Sequence, residues 1–194
     1  MSEGVEPPPS CHPRIADGTA VTRADALASL WSVPGLDRPD PARLWIVRTT
    51  DLGNDATKGV GRYPVVEGEA YPALVSALDG SENERAGVRL PDVTVPLATH
   101  LPWSTREPES GAPEQIVPMI GSSYYFGTTR LEREAVGGPR PSLEERYAGR
   151  EDYLAQLAAA AQALVADRYV LASDVATLLA NAEARWEWAT RESE

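Results

Sequence analysis

The chain has one cysteine, one phenylalanine, one lysine and two histidines among its 194 residues. A lone cysteine, Cys11, excludes an internal disulfide framework and a cysteine-based zinc site. The histidines, His12 and His100, sit in no HExxH helix and at no ligand spacing from each other. No run of loop carboxylates has EF-hand spacing, so neither zinc nor calcium is assigned a site. Bases are also scarce: 18 against 29 acids give a formal charge of −11 and a pI near 4.7. Such a surface repels phosphate backbones and anionic lipid, which excludes nucleic-acid and membrane-surface partners. Long hydrophobic runs are missing too. The most apolar window, around Leu154 to Ala166, is rich in alanine, interrupted by Gln156 and Gln162, and too short for a bilayer. The opening Met1 to Pro9 has neither a basic stretch nor an apolar signal region, so a cytoplasmic chain is expected.

What is present is unevenly placed. All seventeen prolines lie at or before Pro141, and the last 53 residues hold one glycine, Gly149, and fourteen alanines. The expected fold class is α+β, mostly helix and irregular chain. A loop-rich part with few short strands (1–127) precedes a helical C-terminal part (128–194) that contains an antiparallel helix pair at about 150–189.

Local signals sharpen this outline. Glu6 to Pro13 should be extended and polyproline-like. Thr22-Arg-Ala-Asp25 has capping-box spacing and opens a short helix to about Leu30, before Trp31, Val33 and the stop at Pro34-Gly35. Leu44-Trp-Ile-Val47 reads as a short buried strand, and 51–61 as a mobile loop. Two apolar runs, 71–78 and 87–95, flank an Asp79-Gly80 turn and suggest a hairpin held to edge positions by its prolines. Residues 97–127 read as irregular. Thr128 or Thr129 caps a helix to Ala135, and Ser142 to Glu145 forms a capping box behind Pro141. The spacing of Tyr153, Leu154, Leu157, Ala161, Leu164 and Val165 predicts one long helix. Ser173 caps a second, striped by Val175, Leu178, Leu179, Ala182 and Trp186. With 167–172 as connector, the two make an αα-hairpin.

Chemical motifs are few. Lys58-Gly-Val-Gly61 has neither the Walker nor the dinucleotide context of a phosphate cradle. Serine hydrolysis needs a nucleophile on a sharp turn, usually G-x-S-x-G, with a base and an orienting acid. No such pentapeptide occurs. Gly121-Ser-Ser-Tyr-Tyr-Phe-Gly127 brackets serines with glycines at the wrong spacing; its plainer role is to pack Tyr124, Tyr125 and Phe126 on a neighbour. Only His100, as base to Ser122 or Ser123, offers a minority hypothesis of hydrolysis. No catalytic, cofactor-binding or metal-binding residue is assigned, and no cofactor is expected.

Several stretches together carry a resemblance. They are Tyr71-Pro-Ala-Leu-Val, then Ala86-Gly-Val-Arg-Leu-Pro-Asp-Val-Thr-Val-Pro-Leu-Ala-Thr99, then Thr128-Thr-Arg-Leu-Glu-Arg-Glu134. Pro139-Arg-Pro-Ser-Leu-Glu-Glu-Arg-Tyr147 and Arg150-Glu-Asp-Tyr153-Leu follow in the same order. They resemble the C-terminal region of a bacterial family of alpha/beta hydrolase domain-containing proteins, which are esterases. Asp17-Gly-Thr-Ala, after Pro-Pro-Pro-Ser-Cys-His-Pro-Arg, is similar to that family's exit from its last core helix. The resemblance implies that the family's serine, acid and histidine precede the part represented here, so no catalytic residue carries over. After Leu97-Ala-Thr99 the family continues Tyr, Thr, Gly, Trp, Asn. Here stand His100, Leu101, Pro102, Trp103 and Ser104, with only the tryptophan kept.

Two readings follow. In the first, the chain is a hydrolase segment that is inactive alone and partners a catalytic alpha/beta hydrolase core or itself. In the second, it is a stand-alone acidic helical interaction module. Exposed Trp31, Trp45 and Trp103 would signal a missing partner surface.

Overall fold

The structure, a computed structural model, describes residues 7–28, 33–36, 46–112 and 115–191. In chain order its first half contains β1 (Ala20–Thr22), α1 (Arg23–Ala28), β2 (Arg48–Asp51), β3 (Val66–Ala70) and β4 (Leu74–Ser76). Then come α2 (Pro91–Thr94), β5 (Ala98–Leu101), β6 (Ser104–Thr105), β7 (Ile116–Val117) and β8 (Ser122–Tyr125). The helical part is α3 (Arg130–Ala135), α4 (Leu143–Arg146), α5 (Arg150–Ala166) and α6 (Val175–Thr190). Among the described residues the strands form four separate two-stranded antiparallel sheets: β1 with β4, β2 with β3, β5 with β8, and β6 with β7. The fold is α+β with a helical C-terminal part.

Helix starts follow the local chemistry. Thr22 Oγ1 accepts from the Asp25 amide at 3.2 Å and opens α1; Leu30 and Trp31 lie outside the described residues. Thr129 caps α3 with a full capping box to Glu132, and Ser142 does the same for α4 with Glu145. The chain pauses at Gly149, whose positive φ suits glycine, before α5 begins. The second long helix departs from expectation at its cap. A 3₁₀ turn, Ala172–Asp174, precedes it, so Asp174 occupies the cap position and Ser173 lies inside the turn. The Ser173 hydroxyl is bonded to the Asp174 carboxylate instead.

The helix pair closes the core. Tyr153, Leu157 and Ala161 recur every four residues on α5 and are buried, opposite Ala182, Leu179 and Trp186 on α6. Tyr153 stacks on Trp186 with centroids 5.2 Å apart, and Tyr147 meets Tyr153 edge-on at 5.2 Å. Val95, Leu97 and Phe126 complete the cluster from around β5 and β8. At the far end of the pair, Arg168 Nη2 donates to the Pro7 carbonyl at 2.8 Å, and the Tyr169 hydroxyl donates to that of Pro9. These bonds tie the extended proline arm to the connector.

Three strand expectations are corrected. The run at 44–47 is not a buried strand: Leu44 and Trp45 lie outside the described residues, Ile46 and Val47 are exposed, and pairing starts only at Arg48. Pairing with 66–70 decides the strand, and Thr49 and Thr50 suit it. Asp51, expected in a loop, ends β2 and pairs with Val66; 52–61 is a loop with a 3₁₀ turn at Ala56–Lys58 closed by Gly59. The 71–78/87–95 hairpin forms only its turn. Leu78 bridges Glu84, but β4 pairs with β1, and Pro91 starts the helix α2 where a strand was expected. Finally, 97–127 is not irregular, because Ala98 to Leu101 pair with Tyr125 to Ser122. That partner is too distant in sequence for local pattern to show.

One side chain replaces a strand. Asn83 is fully buried; its Nδ2 donates to the Ala98 carbonyl at 3.0 Å and its Oδ1 accepts from the His100 amide at 2.7 Å. It thereby satisfies the edge of β5 that faces away from β8. Asp79 holds the turn by accepting the Ser81 and Asn83 amides at 2.8 and 3.0 Å.

Candidate functional site

The only chemistry singled out in the sequence concerns His100, Ser122 and Ser123, and all three lie on the β5–β8 pair. The register sets His100 directly opposite Ser123, and their side chains meet, Nδ1 to Oγ, at 2.8 Å. Ser122 points elsewhere: its hydroxyl donates to the Trp103 carbonyl at 2.8 Å. Trp103 is buried rather than exposed, while Trp31 and Trp45 lie outside the described residues.

His100 is half-buried between charged neighbours. Burial lowers its pKa below the ordinary 6.5; the Asp92 carboxylate and a main-chain hydrogen bond with Asp92 oppose this, and Arg185 reinforces it. Asp92, in the first turn of α2, is ion-paired with Arg185 of α6. A neutral ring accepts the Ser123 O–H at Nδ1, which is the first contact a general base needs. The rest of a serine-hydrolase geometry does not follow. Ser123 lies within β8, with Tyr124 and Tyr125 between it and the turn that leads to α3. A nucleophile elbow instead puts its serine on a sharp strand-to-helix turn.

Behind the pair lies a polar network that the sequence did not announce. Arg140 is 8% exposed, and its Nη1 donates to Thr99 Oγ1 at 2.6 Å and to the Tyr124 carbonyl at 3.3 Å. Thr99 Oγ1 donates onward to the Ser81 carbonyl at 2.6 Å. Arg146 donates to Ser81 Oγ at 2.9 Å, and both guanidiniums stand over the Phe126 ring, 5.2 and 4.1 Å from its centroid. Burial lowers both arginine pKa values, with Glu82 opposing the shift at Arg140 and Arg146 adding to it. The network locks α4 and its approach onto β5, and thus fixes the strand that carries His100.

No group of three or more His, Cys, Asp or Glu among the described residues stands close enough to share a metal ion. Cys11 is exposed. No helix among them is long and apolar enough to cross a membrane.

A family model described as "Alpha/beta hydrolase domain" matches residues 2–180. The chain belongs to this alpha/beta hydrolase family. No curated protein and no solved structure matches it. Family membership gives the His100–Ser123 contact its interest, since Ser–His pairs drive acyl transfer in serine hydrolases. It assigns neither residue a role. The contact was half legible: His100 and both serines stood out as rare or glycine-bracketed, but only the strand register selects Ser123. Asp92, Asn83 and Arg140 carried no signal beyond their neighbours.

Proposed function

We propose that this chain is the C-terminal segment of an alpha/beta hydrolase acting on carboxylic esters, without a nucleophile elbow or catalytic histidine loop of its own. Alone it does no ester chemistry. It completes the fold, or covers the active-site mouth, of a catalytic core that carries the serine, acid and histidine. The observation that supports this reading is the family match over 2–180 on a chain without G-x-S-x-G, whose described strands make only two-stranded antiparallel sheets. The test is p-nitrophenyl butyrate turnover by the chain alone and after co-expression with such a core. Turnover that needs the core supports the reading, and turnover by the chain alone overturns it.

A second reading, hydrolysis at Ser123 itself, is favoured by the 2.8 Å contact with His100. It requires that activity vanish in both Ser123→Ala and His100→Ala. The position of Ser123 inside a strand weighs against it.

A further inference from the structure

The β5–β8 pair has two faces with different neighbours. Cross-strand partners share a face, so Thr99 and Tyr124 lie on one side, where Arg140 holds Thr99. Ala98, His100, Ser123 and Tyr125 lie on the other. The C-terminal half of α6 meets that second face. Trp188 packs on Tyr125 with ring centroids 4.1 Å apart, and Trp186 stacks on Tyr153 of α5 at 5.2 Å. Arg185 stands one turn before Trp188, on the same side of the helix, and is ion-paired with Asp92 of α2. The two side chains are 33 and 27% exposed. The end of α6 is thus fastened by aromatic contacts and by one partly shielded ion pair.

His100 stands beside that ion pair, hydrogen-bonded to the main chain of Asp92 and within the field of both charges. From β8, Ser123 and Tyr125 share its face. From α5, the Tyr153 phenol, kept neutral by burial, lies beside the same Asp92 and Arg185. The neutral ring fits this place: Nδ1 accepts the Ser123 O–H at 2.8 Å, and the Asp92 carboxylate is engaged by Arg185. A proton on Nδ1 changes both relations. An imidazolium has only donors, so the Ser123 hydroxyl must turn and accept. The new charge attracts the Asp92 carboxylate and repels the Arg185 guanidinium. His100 is fixed on a paired strand, whereas Arg185 has a long side chain with a route to water. Burial, opposed by Asp92 and aided by Arg185, makes the seated ring harder to protonate than a solvated one. Acid therefore favours the arrangement in which α6 has lifted.

We propose that His100, Asp92 and Arg185 form an acid-operated latch on α6. At neutral pH the latch is closed. Protonation of His100 transfers Asp92 from Arg185 to the imidazolium, and the C-terminal half of α6 lifts, uncovering Tyr125 and Tyr153. The device needs neither a catalytic core nor ester chemistry.

The test follows the full chain from about pH 8 to about pH 5, where carboxylates stay ionised and histidine changes charge. NMR of the imidazole gives the His100 midpoint. Hydrogen–deuterium exchange, corrected for the intrinsic effect of pH, reads 183–190 and 150–166 separately, and near-UV circular dichroism reads the tryptophans. Acid should cost 183–190 its protection and weaken the near-UV signal at the His100 midpoint, while 150–166 stays protected. His100→Gln, which stays neutral, should abolish the acid step; His12→Gln, in the exposed arm, should keep it. Arg185→Gln should leave 183–190 weakly protected even at the alkaline end. It should also raise the His100 midpoint, because Asp92 then faces the ring alone; a residue that only supports the helix would not move that midpoint. Three results would each overturn the latch: an acid step that survives His100→Gln, a His100 titration without change in 183–190, or an equal loss of protection in 150–166.

Discussion

Replacing Asn83 by alanine should be among the most costly single changes in this protein. The side chain is fully buried and bonds the Ala98 carbonyl at 3.0 Å and the His100 amide at 2.7 Å. Alanine removes both bonds and strands a carbonyl and an amide on one edge of β5, where Ala98 is 1% exposed. Each orphaned group costs about 1–3 kcal/mol, so the sum is about 2–6 kcal/mol, a large share of the ~5–15 kcal/mol that holds a domain together. At about 2–4 °C per kcal/mol for a chain of this length, that lowers Tm by roughly 4–24 °C. Thermal and urea unfolding followed by circular dichroism would measure it, with an unchanged m-value showing that both states keep their compactness. Asn83→Asp keeps the acceptor for His100 but turns the donor toward Ala98 into a second, charged acceptor, so it should do no better. A melting temperature for Asn83→Ala within about 1 °C of the parent would refute the strand-replacing role.

Other consequences are also measurable. Leu157→Ala empties a fully buried position between α5 and α6 and should cost about 2–5 kcal/mol in denaturant unfolding. The Ser142 amide, Arg133 and the Ser142 hydroxyl hold the Glu145 carboxyl at about 2, below the ordinary 4.5. Its folded pKa is the lower one, so its contribution is complete above pH 4.5 and disappears as the pH falls toward about 2. Glu145→Gln should therefore flatten the melting curve across that acidic window. Burial should make His100 titrate below 6.5 by NMR, so protonation, easier in the unfolded chain, subtracts stability as the pH drops past that value. A midpoint at or above 6.5 would contradict its half-buried placement.

The contrast between the two ends of the chain explains what the sequence could disclose. Helix starts are local: Thr129 with Glu132, and Ser142 with Glu145, complete their capping boxes within four residues. The stripe of Tyr153, Leu157 and Ala161 needs only one helix to become visible. Strands depend on partners elsewhere. Ala20–Thr22 pairs with Leu74–Ser76, and Arg48-Thr-Thr-Asp51, with no apolar alternation, is a strand only because 66–70 lies beside it. The same limit applied to the candidate site. The rare histidine and the bracketed serines were legible, but choosing Ser123 over Ser122 required the β5–β8 register. Asn83 was hidden for a related reason: a side chain that substitutes for a neighbouring strand leaves no periodicity.

The proline arm and the proline-poor helices acquire distinct tasks in this account. The helices carry the core, and the polar network around Arg140 steadies β5. None of these tasks is catalysis by the chain itself. Ester turnover by the purified chain tests that most directly, with p-nitrophenyl butyrate as substrate beside its Ser123→Ala and His100→Ala variants. Rates for all three should match buffer. Saturable turnover by the parent chain, lost in both variants, would contradict it.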